Sequence, residues 1–519
     1  MSRMMGPRGT AWKAASVITE ALRNFVALPS SADRDLALDL DILRLRSRQL
    51  FQNNTFSRAM IESFTTNVVG TGCKCRPNIR MPDRLGMTQE EAEKWAKNTQ
   101  SLFELWANSK NCDAEKKNTF AQLQHLAFKS AKIGGDSFGL ACFDKNSPFG
   151  LCIKILESER CQNPFGVMDS DALLHGVETN KNGTPAAYYF TSRPAWSIDS
   201  YTDNVDTVRV PAFDALGNPN VIHILSVDRT DQRRGVPLLA PLIMQLKQLE
   251  RYQDAELMAA VVSACVTAVV TSNDDEEADD LSGMTGIGGG GNAEQQVDSY
   301  GNEVPARRNE LELSMKPGGI WSLPNKFKAD LLNPARPNVN YQPFVESIFS
   351  EAGAATGASY EVILKNFHTS NYNSVRAAVL ESRKTFNRMR EDFISDFCQP
   401  IYEKWLAQAV LVGEIEAPGF FDDPMKRALW CGCRWISDAA FLLDPLRETQ
   451  AIKMQIDEQL MDRDTACAMV NGGEYDVVTD QLAKELNMRK AKGLGEPGSV
   501  TKTESFSVST DDTNESSLN

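Results

Sequence analysis

The sequence predicts an α+β fold that is mainly helical. Along most of the chain, apolar residues recur every three or four positions, the spacing that buries one face of a helix. Between Phe138 and Asp228 they alternate instead, which is typical of strands with one buried face. The longest apolar stretch, residues 257–270, is about fourteen residues long and too short to span a bilayer. We therefore expect a helical protein with an internal β-rich block and no membrane span.

Composition and charge exclude several broad classes of protein. The chain has 519 residues, 42% of them hydrophobic, and its 55 basic and 69 acidic side chains give a formal charge of −14. This mixture excludes wholesale disorder, and the length suggests about three domains at ~150 residues each. The acidic balance argues against a protein that wraps nucleic acid tightly, because such binding needs basic side chains at many phosphates.

The chain before the β-rich block is predicted to be helical. Residues 1–32 are expected to form a flexible segment, and leucines recur at helical spacing between residues 33 and 72. Thr88, with Glu91 three residues later, matches a capping box and predicts a helix over residues 89–108. A further helix is predicted over residues 120–132.

Two turn signals divide the β-rich block, residues 137–232. Asn182-Gly183 precedes an aromatic run at 188–190, and Gly217-Asn218 precedes an apolar run at 221–225. Asn and Gly tolerate the positive φ angles of tight hairpin turns. Both places are therefore predicted to be hairpins.

A helical run over residues 236–270 is predicted to lead into a mobile loop at 273–300. This loop combines four consecutive glycines with a run of carboxylates, which bury too little apolar surface to offset chain entropy. The carboxylates are Asp274, Asp275, Glu276, Glu277, Asp279 and Asp280. Helix is expected again over residues 341–355, and Gly357 should end it.

The strongest helical periodicity begins at Ser374, after a polar, loop-like stretch at 367–373. It predicts one long helix over residues 374–411, which Pro400 should kink or split near Cys398. Two or three shorter helices are predicted over residues 445–494. Residues 496–519 are acidic and rich in Ser and Thr, so a disordered tail is expected.

The eleven cysteines are predicted to be reduced, structural thiols. The amino terminus lacks the basic-then-apolar pattern of a secretory signal, which favours a reducing compartment. Two C-x-C pairs, Cys73/Cys75 and Cys431/Cys433, have one intervening residue, whereas zinc sites normally use two to four. A metal at these pairs is the less favoured interpretation.

No catalytic motif is present, so no catalytic residue, metal or cofactor is predicted. The chain lacks a G-x-x-x-x-G-K-[ST] phosphate loop, a G-x-S-x-G nucleophile elbow and an H-E-x-x-H zinc motif. The acidic run at 274–280 lacks the central glycine and terminal glutamate of a calcium loop. The four histidines stand alone in the sequence, and their spatial assembly with a Cys or Ser nucleophile stays open.

Several stretches together resemble the lambda family of tailed-bacteriophage portal proteins. Their order and separation match that family over most of residues 30–495, although no single stretch is a catalytic signature. Residues 273–300 and the tail depart from the pattern. The matching stretches are LRSRQLFQNN (45–54), NVVGTG (67–72), HIL (223–225), QRRGVPLLAPL (232–242), LERYQDAELMAA (249–260), ATGASYEVIL (355–364), NYNSVRAA (371–378), ESRKTF (381–386), PIYEKWL (400–406) and DPLRE (444–448).

The resemblance implies a ring, usually of twelve subunits, at one vertex of the phage head. The genome would pass through the central channel during packaging and ejection. The implied parts are a wing (33–235), a stem helix (236–270), a clip (271–335), a second stem helix (336–356), a tunnel loop (357–373), a long helix returning to the wing (374–411), and the end of the wing with the crown helices (412–495).

The resemblance also implies contact residues and partners. Lys365, His368, Thr369 and Asn371 would line the constriction of the DNA channel, and the six carboxylates of the 273–300 loop would lie in the docking surface of the clip. The implied partners are double-stranded DNA without sequence specificity, terminase, head–tail adaptors, and the major capsid and scaffold proteins. The implied location is the portal vertex of the virion, after assembly in the host cytoplasm.

Two other functions remain as alternatives. One is a phage-encoded hydrolase or nuclease whose site is built from scattered carboxylates and cysteines. The other is a soluble scaffold that binds only proteins and passes no DNA. A nuclease activity abolished by a single Asp or Glu change would favour the first, whereas DNA packaging that tolerates charge reversal at the tunnel loop would favour the second.

Overall fold

A computed structural model describes most of the chain. The described residues are 29–145, 149–192, 206–265, 269–272, 327–330, 341–367, 371–437, 445–471 and 475–492, together with positions 14, 20, 24, 25, 147 and 473. The predicted acidic loop at 273–300 and the predicted tail at 496–519 lie outside these residues, as does nearly all of the predicted flexible segment 1–32.

Helices dominate the described residues, as the sequence predicts. They are α1 (Ala32–Leu36), α2 (Leu40–Asn53), α3 (Thr55–Val68), α4 (Pro82–Leu85), α5 (Gln89–Ala107), α6 (Phe120–Gly134), α7 (Ile243–Cys265), α8 (Tyr341–Thr356), α9 (Tyr360–Leu364), α10 (Tyr372–Phe393), α11 (Gln399–Val412), α12 (Pro424–Trp430), α13 (Pro445–Asp457), α14 (Arg463–Asn471) and α15 (Tyr475–Ala491).

Strands form four small sheets in the same residues. They are β1 (Lys74–Pro77), β2 (Asp136–Phe143), β3 (Leu151–Glu157), β4 (Leu173–Leu174), β5 (Val177–Thr179), β6 (Pro185–Thr191), β7 (Thr207–Pro211), β8 (Val221–Leu225), β9 (Val269–Ser272), β10 (Phe327–Asp330) and β11 (Cys433–Ile436). The sheet orders are β1-β11, β10-β9, β3-β2-β8 and β4-β5-β6-β7, and every pairing is antiparallel.

The chain divides into two compact units. The first unit comprises Met1–Ala240 and Glu361–Asn519, and the second comprises Pro241–Tyr360. The sequence therefore leaves the first unit once and returns to it. The prediction of about three domains, made from chain length, is wrong, because the structure has two compact units. Chain length does not show that a chain leaves one unit and later returns to it.

Local capping signals set the helix boundaries of the first unit. Asn54 ends α2 and caps α3, because its side-chain oxygen accepts from the backbone N–H groups of Phe56 and Ser57. Thr88 and Glu91 form the predicted capping box at the start of α5. The helices predicted over residues 33–72 and 89–108 are thus confirmed, with Asn108 as the residue after the last turn.

The two larger sheets of the first unit share one core. Phe138 of β2, at 0% exposure, lies 5.2 Å from the ring of Phe190 on β6, and Val177 and Val221 complete the contact between the sheets. The hairpin predicted at Asn182-Gly183 joins β5 to β6, with a positive φ of 80° at Gly183.

The hairpin predicted at Gly217-Asn218 is wrong in its pairing. A turn forms there, and Phe213 bridges Pro219, but β7 pairs with β6 whereas β8 pairs with β2 in the other sheet. The turn signal is local, and the choice of partner strand depends on tertiary packing that a local signal does not encode.

Aromatic side chains form a second part of the core in the first unit. Four rings lie 5.0–5.8 Å from the ring of Phe103 on α5, namely those of Trp106 on α5, Phe120 on α6, and Tyr402 and Trp405 on α11. These five side chains are at most 3% exposed. Burial of large aromatic surfaces makes this contact a major source of stability.

The long helix predicted at 374–411 is interrupted as expected. A π-helical turn, Ile394–Cys398, joins α10 to α11, and Pro400 lies in the first turn of α11. Proline is tolerated there because its missing N–H is compatible with a first turn. Pro400 cannot donate the backbone hydrogen bond that a continuous α-helix would need here. The wider hydrogen-bond spacing of the π-helical turn keeps the chain helical without that bond.

The second unit contains α7 and α8, whose aromatic side chains meet. Tyr252 stacks on Tyr341 with ring centroids 5.8 Å apart, and Gln253 Nε2 donates to the hydroxyl of Tyr341 at 3.0 Å. The helix predicted over residues 236–270 is too long, since α7 spans only Ile243–Cys265. Pro237 and Pro241 cannot donate backbone hydrogen bonds, so the helix begins after them.

The short strands β9 and β10 pair on either side of the segment that contains the acidic run. The loop predicted at 357–373 also differs from expectation, because it contains the short helix α9. Of the second stem helix predicted at 336–356, residues 341–356 are helical and residues 336–340 lie outside the described residues. Within the described chain, every helix is too short or too polar to cross a bilayer.

Candidate functional site

The candidate site is the connection between α9 and α10, where the sequence places four channel residues. Lys365 ends α9, and Asn371 lies directly before α10. His368 and Thr369 lie outside the described residues. The structure therefore positions both ends of the predicted loop.

Helix α3 supports the α9 end of this connection. The Ser63 hydroxyl donates to the backbone carbonyl of Val362 at 3.3 Å. Ile363 of α9 is 1% exposed, so the short helix is packed as well as hydrogen-bonded. Lys365 follows with a φ of 55° and an exposed side chain. A left-handed residue at this position ends the helix, as is usual directly after a C-terminal turn.

Helix α3 also packs against the second half of α10. Phe64 is fully buried and meets Phe386 edge-to-face, with ring centroids 5.3 Å apart. About four turns of α10 separate Phe386 from the capping residue Asn371, so this contact lies in the second half of the helix. Edge-to-face aromatic pairs are worth about 0.5–1.5 kcal/mol beyond their buried area.

Arg390 fastens α10 to the end of α3. Its Nε donates to the carbonyl of Val68 at 2.8 Å, and Nη2 donates to the carbonyl of Asn67 at 2.6 Å. These carbonyls belong to the last turn of α3, where no further helical N–H reaches them. A cation here satisfies both acceptors and complements the negative end of the helix dipole. No sequence motif marks Arg390, so its role could not be predicted.

Asn371 has a structural duty in addition to its predicted role. Its side-chain oxygen accepts from the backbone N–H and the hydroxyl of Ser374, both at 2.9 Å, which caps α10. The carbonyl oxygen of this amide is thus committed to the helix, while the side chain remains exposed. The loop predicted at 367–373 is accordingly shorter, since α10 begins at Tyr372.

The predicted docking carboxylates follow β9 directly in sequence. Asp274, Asp275, Glu276, Glu277, Asp279 and Asp280 all lie outside the described residues. What the structure describes is the antiparallel pairing of β9 with β10 on either side of residues 273–326.

A buried charge network forms a further feature that sequence reasoning missed. Asp136 at the start of β2 is 0% exposed. Its carboxylate accepts hydrogen bonds from Nε of Arg234 at 2.6 Å and from Nη2 of Arg44 at 3.2 Å. The backbone N–H of Gly235 donates to the same carboxylate at 3.2 Å, and His223 Nε2 lies 3.4 Å away. Both arginines are at most 2% exposed.

These neighbours determine the charge states in the network. Burial by itself would raise the pKa of Asp136, but Arg234, Arg44 and the hydrogen bond from His223 outweigh it and hold the pKa well below its ordinary value. Burial, followed by repulsion from Arg234, lowers the pKa of Arg44 to about 10. The pKa of Arg234 shifts upward despite burial, since it has the shorter contact with Asp136. At neutral pH both arginines and the carboxylate are charged.

This network fixes the segment through which the chain leaves the first unit. Arg234 and Gly235 belong to the QRRGVPLLAPL stretch, and a Cβ at Gly235 would clash with the carbonyl of Gly135. Leu238 then donates its backbone N–H to the carbonyl of Lys132 at 3.0 Å. Two positions of this stretch therefore have a structural reason. Arg234 pairs with the buried Asp136, and Gly235 has no side chain because its backbone lies against that of Gly135.

No catalytic centre emerges from the described side chains. Among the residues that the structure describes, no group of three or more His, Cys, Asp or Glu side chains is arranged to hold a metal ion. The geometry consists of a connection whose α9 end is held by α3 and whose α10 end is capped by Asn371, together with a buried charge network.

Comparison with known proteins identifies the family. Residues 19–390 match the model of the phage portal protein, lambda family. The portal protein of Escherichia phage N15 is 26% identical over 491 residues, covering 92% of this chain and 89% of the relative. Portal protein B of Escherichia phage lambda is 26% identical over 486 residues, covering 90% and 88%.

Solved structures give a partial likeness. A chain in the virion of a native gene transfer agent particle covers 78% of this chain at 12% identity, with a TM-score of 0.38. A chain in the neck of the native particle covers 76% at 13% identity, with a TM-score of 0.40.

The family match extends over more than two thirds of the sequence and includes both the buried charge network and the anchored loop. Portal proteins are structural components of the phage particle and not enzymes. The chain belongs to the lambda family of phage portal proteins.

Proposed function

We propose that this chain assembles into a homo-oligomeric ring through which phage DNA is packaged and ejected. The family match over residues 19–390 is the observation that carries the proposal, and the two relatives named portal proteins support it over about nine tenths of the chain. The family gives no support to the hydrolase or nuclease alternative. A ring of twelve subunits at the portal vertex of the head is the form we propose.

The proposed parts follow the two units. The first unit, with both larger sheets and the aromatic core, is the wing, and α13 to α15 form the crown. Helices α7 and α8 are the stem, since they are the long helices of the second unit and flank the β9–β10 pair. The segment from 271 to 335 is then the clip.

The connection between α9 and α10 is the proposed channel constriction, with Lys365, His368, Thr369 and Asn371 toward DNA. The support is that α3 holds α9 through Ser63, that Asn371 caps α10, and that α3 contacts the second half of α10 through Phe64 and Arg390. A loop held at both ends keeps its polar side chains in place while a polymer moves past. One lysine per subunit allows brief phosphate contacts, and the formal charge of −14 disfavours a lasting grip.

The acidic run at 274–280 is the proposed docking surface of the clip. Six carboxylates without a base favour a partner with basic side chains, since opposite charges steer association. Terminase during packaging and head–tail adaptors afterwards are the partners we propose for the clip. The major capsid and scaffold proteins would meet the ring from the head side.

DNA packaging in cells tests the proposed channel loop. The double variant Lys365→Glu/His368→Glu reverses one charge and adds another, so the loop should repel phosphates. We expect about tenfold less nuclease-protected DNA in particles, because charge at a constriction changes local polyanion concentration by at least that factor. Lys384→Glu is the matched control, since Lys384 is an exposed lysine on the adjoining α10.

Ring formation separates failure of the loop from failure of the proposed function. If the double variant forms rings and packages normally, the loop does not contact DNA and the protein-only scaffold gains support. If neither variant nor parent forms rings, the proposed function itself is wrong.

A further inference from the structure

The two C-x-C pairs, which are far apart in sequence, lie on neighbouring strands. Cys75 is on β1 and Cys433 is on β11, 358 residues later. In the antiparallel register Cys75 is opposite Trp435 and Pro77 is opposite Cys433. Positions two apart on a strand share a face, so Cys75 and Cys433 are diagonal neighbours on the same face of this sheet.

The two sulfur atoms are close enough for bond formation. Their Sγ atoms are 2.8 Å apart. A disulfide bond is about 2.05 Å long, so the sulfurs need to approach by only about 0.8 Å. Both side chains are free thiols in the structure.

Access to solvent differs between the two thiols. Cys75 is 3% exposed, whereas Cys433 is half-buried. Burial, and then the hydrogen bond with Cys433, raises the pKa of the Cys75 thiol well above its ordinary value. The more accessible Cys433 is therefore the first to meet a reagent from solution, and Cys75 is placed to react with it second.

Other buried thiols lie around the pair and are its competitors. Burial, and then a hydrogen bond with Cys73, raises the pKa of the Cys398 thiol, so these two sulfurs are also neighbours. Cys431, two residues before Cys433, is 5% exposed. Each of these three is less accessible than Cys433, which favours the Cys75–Cys433 pairing.

We propose that Cys75 and Cys433 form a disulfide bond when the protein meets an oxidising environment. The oxidant is a small disulfide such as glutathione disulfide. The Cys433 thiolate attacks one of its sulfurs, which forms a mixed disulfide and releases one thiolate. The Cys75 thiolate then attacks Cys433 Sγ and releases the second. Two cysteine thiols are oxidised, one disulfide is reduced to two thiols, and the protons pass to the products.

The bond would fasten the beginning of the first unit to its end. Strands β1 and β11 have four residues each, and an isolated two-stranded ladder of this length is marginal. Two ion pairs already join these strands, because Arg76 of β1 and Arg434 of β11 both contact Asp464 of α14. The bond would close a very long loop, which restricts the unfolded chain most strongly.

Thiols stay reduced in a host cytoplasm, so the bond would form only after release. The proposal is independent of DNA passage.

Peptide mapping of the full-length protein tests the pairing. The protein is equilibrated in glutathione buffers from fully reduced to fully oxidised, its free thiols are alkylated under denaturing conditions, and it is digested without reduction. We expect a cross-linked peptide that joins Cys75 to Cys433 in the oxidised samples. We also expect the oxidised protein to unfold at a higher temperature than the reduced protein.

Single substitutions show whether the named pair is responsible. Cys433→Ser and Cys75→Ser should abolish both the cross-link and the difference in unfolding temperature. Cys161→Ser, which replaces a buried thiol elsewhere in the first unit, should retain both. If Cys75→Ser fails to fold, Cys433→Ser carries the test. Full alkylation of Cys75 and Cys433 after fully oxidising incubation, or cross-linking to Cys73, Cys398 or Cys431 instead, would overturn the proposal.

Discussion

At the scale of single residues, Asp136 has more consequence for the fold than any predicted site residue. Its carboxylate joins Arg44 of α2, His223 of β8 and the Arg234–Gly235 segment to the start of β2. Removing charges from water is costly, so such a network is stable only when every partner remains. The surroundings of an aspartate decide the direction of its pKa shift. Burial raises the pKa of the half-buried Asp396, beside Asp392, to about 6, which is the opposite direction from Asp136.

Asp136→Asn should destabilise the first unit strongly. It leaves two buried arginines with an uncompensated charge, and losing one partner of a buried pair costs about 3–5 kcal/mol. Denaturant unfolding monitored by tryptophan fluorescence measures the change. Asp41→Asn is the control, because Asp41 is an exposed neighbour of the same Arg44, at 3.8 Å, and should cost within about 0.5 kcal/mol.

The pH dependence of this loss has a definite sign. The folded pKa of Asp136 is depressed, so its stabilisation is present above the unfolded pKa of about 3.9 and is lost as pH falls through the folded value. The difference between parent and Asp136→Asn should therefore not shrink between pH 5 and 8 and should shrink only below about pH 4. A difference that shrinks between pH 5 and 7 would contradict the assigned charge state.

This network could not be predicted from the sequence. Asp136 lies 92 residues from Arg44 and 98 from Arg234, and no local pattern distinguishes these arginines from exposed ones. The capping residues were predictable for the opposite reason. Thr88 and Glu91 interact within one turn of α5, so their spacing alone contains the contact.

At the scale of elements, α3 packs against the helices on both sides of the candidate loop. It binds α9 through Ser63 and α10 through Phe64, and its own last carbonyls are satisfied by Arg390. The periodicity of α10 was predictable from apolar residues three and four apart. Its attachment to α3 was not, because the Arg390 bonds span more than 300 residues.

Arg390→Ala should loosen the contact between the last turn of α10 and the end of α3. The change removes the guanidinium that donates to the carbonyls of Asn67 and Val68. Each hydrogen bond to a charged group contributes about 1.5–3 kcal/mol to the stability of the fold. Hydrogen exchange followed by mass spectrometry should show faster exchange in peptides covering α3 and α10.

Lys384→Ala provides the comparison on the same helix. Its ammonium pairs with the exposed Glu381 at 2.6 Å, and exposed pairs of this kind contribute about 0–1 kcal/mol. Equal exchange in the two variants would show that Arg390 does not hold α10 to α3.

At the scale of the whole molecule, the order of short sequence stretches was more informative than composition. Hydrophobic periodicity predicted the fold class and charge excluded a tight DNA binder, but the stretches QRRGVPLLAPL, ATGASYEVIL and NYNSVRAA, in that order, indicated the portal family. The structure gives physical reasons for parts of these stretches, including buried Arg234, the close approach at Gly235 and the cap at Asn371. Channel and docking roles stay proposals, because they depend on how subunits meet and not on one chain.

The most direct test of the central claim is electron microscopy of the purified full-length protein, combined with a mass measurement in solution. The account predicts closed rings with a central hole and a mass that is an integral multiple of 57.4 kDa, with twelve subunits as the proposed number. A folded, monodisperse monomer at micromolar concentration would contradict it.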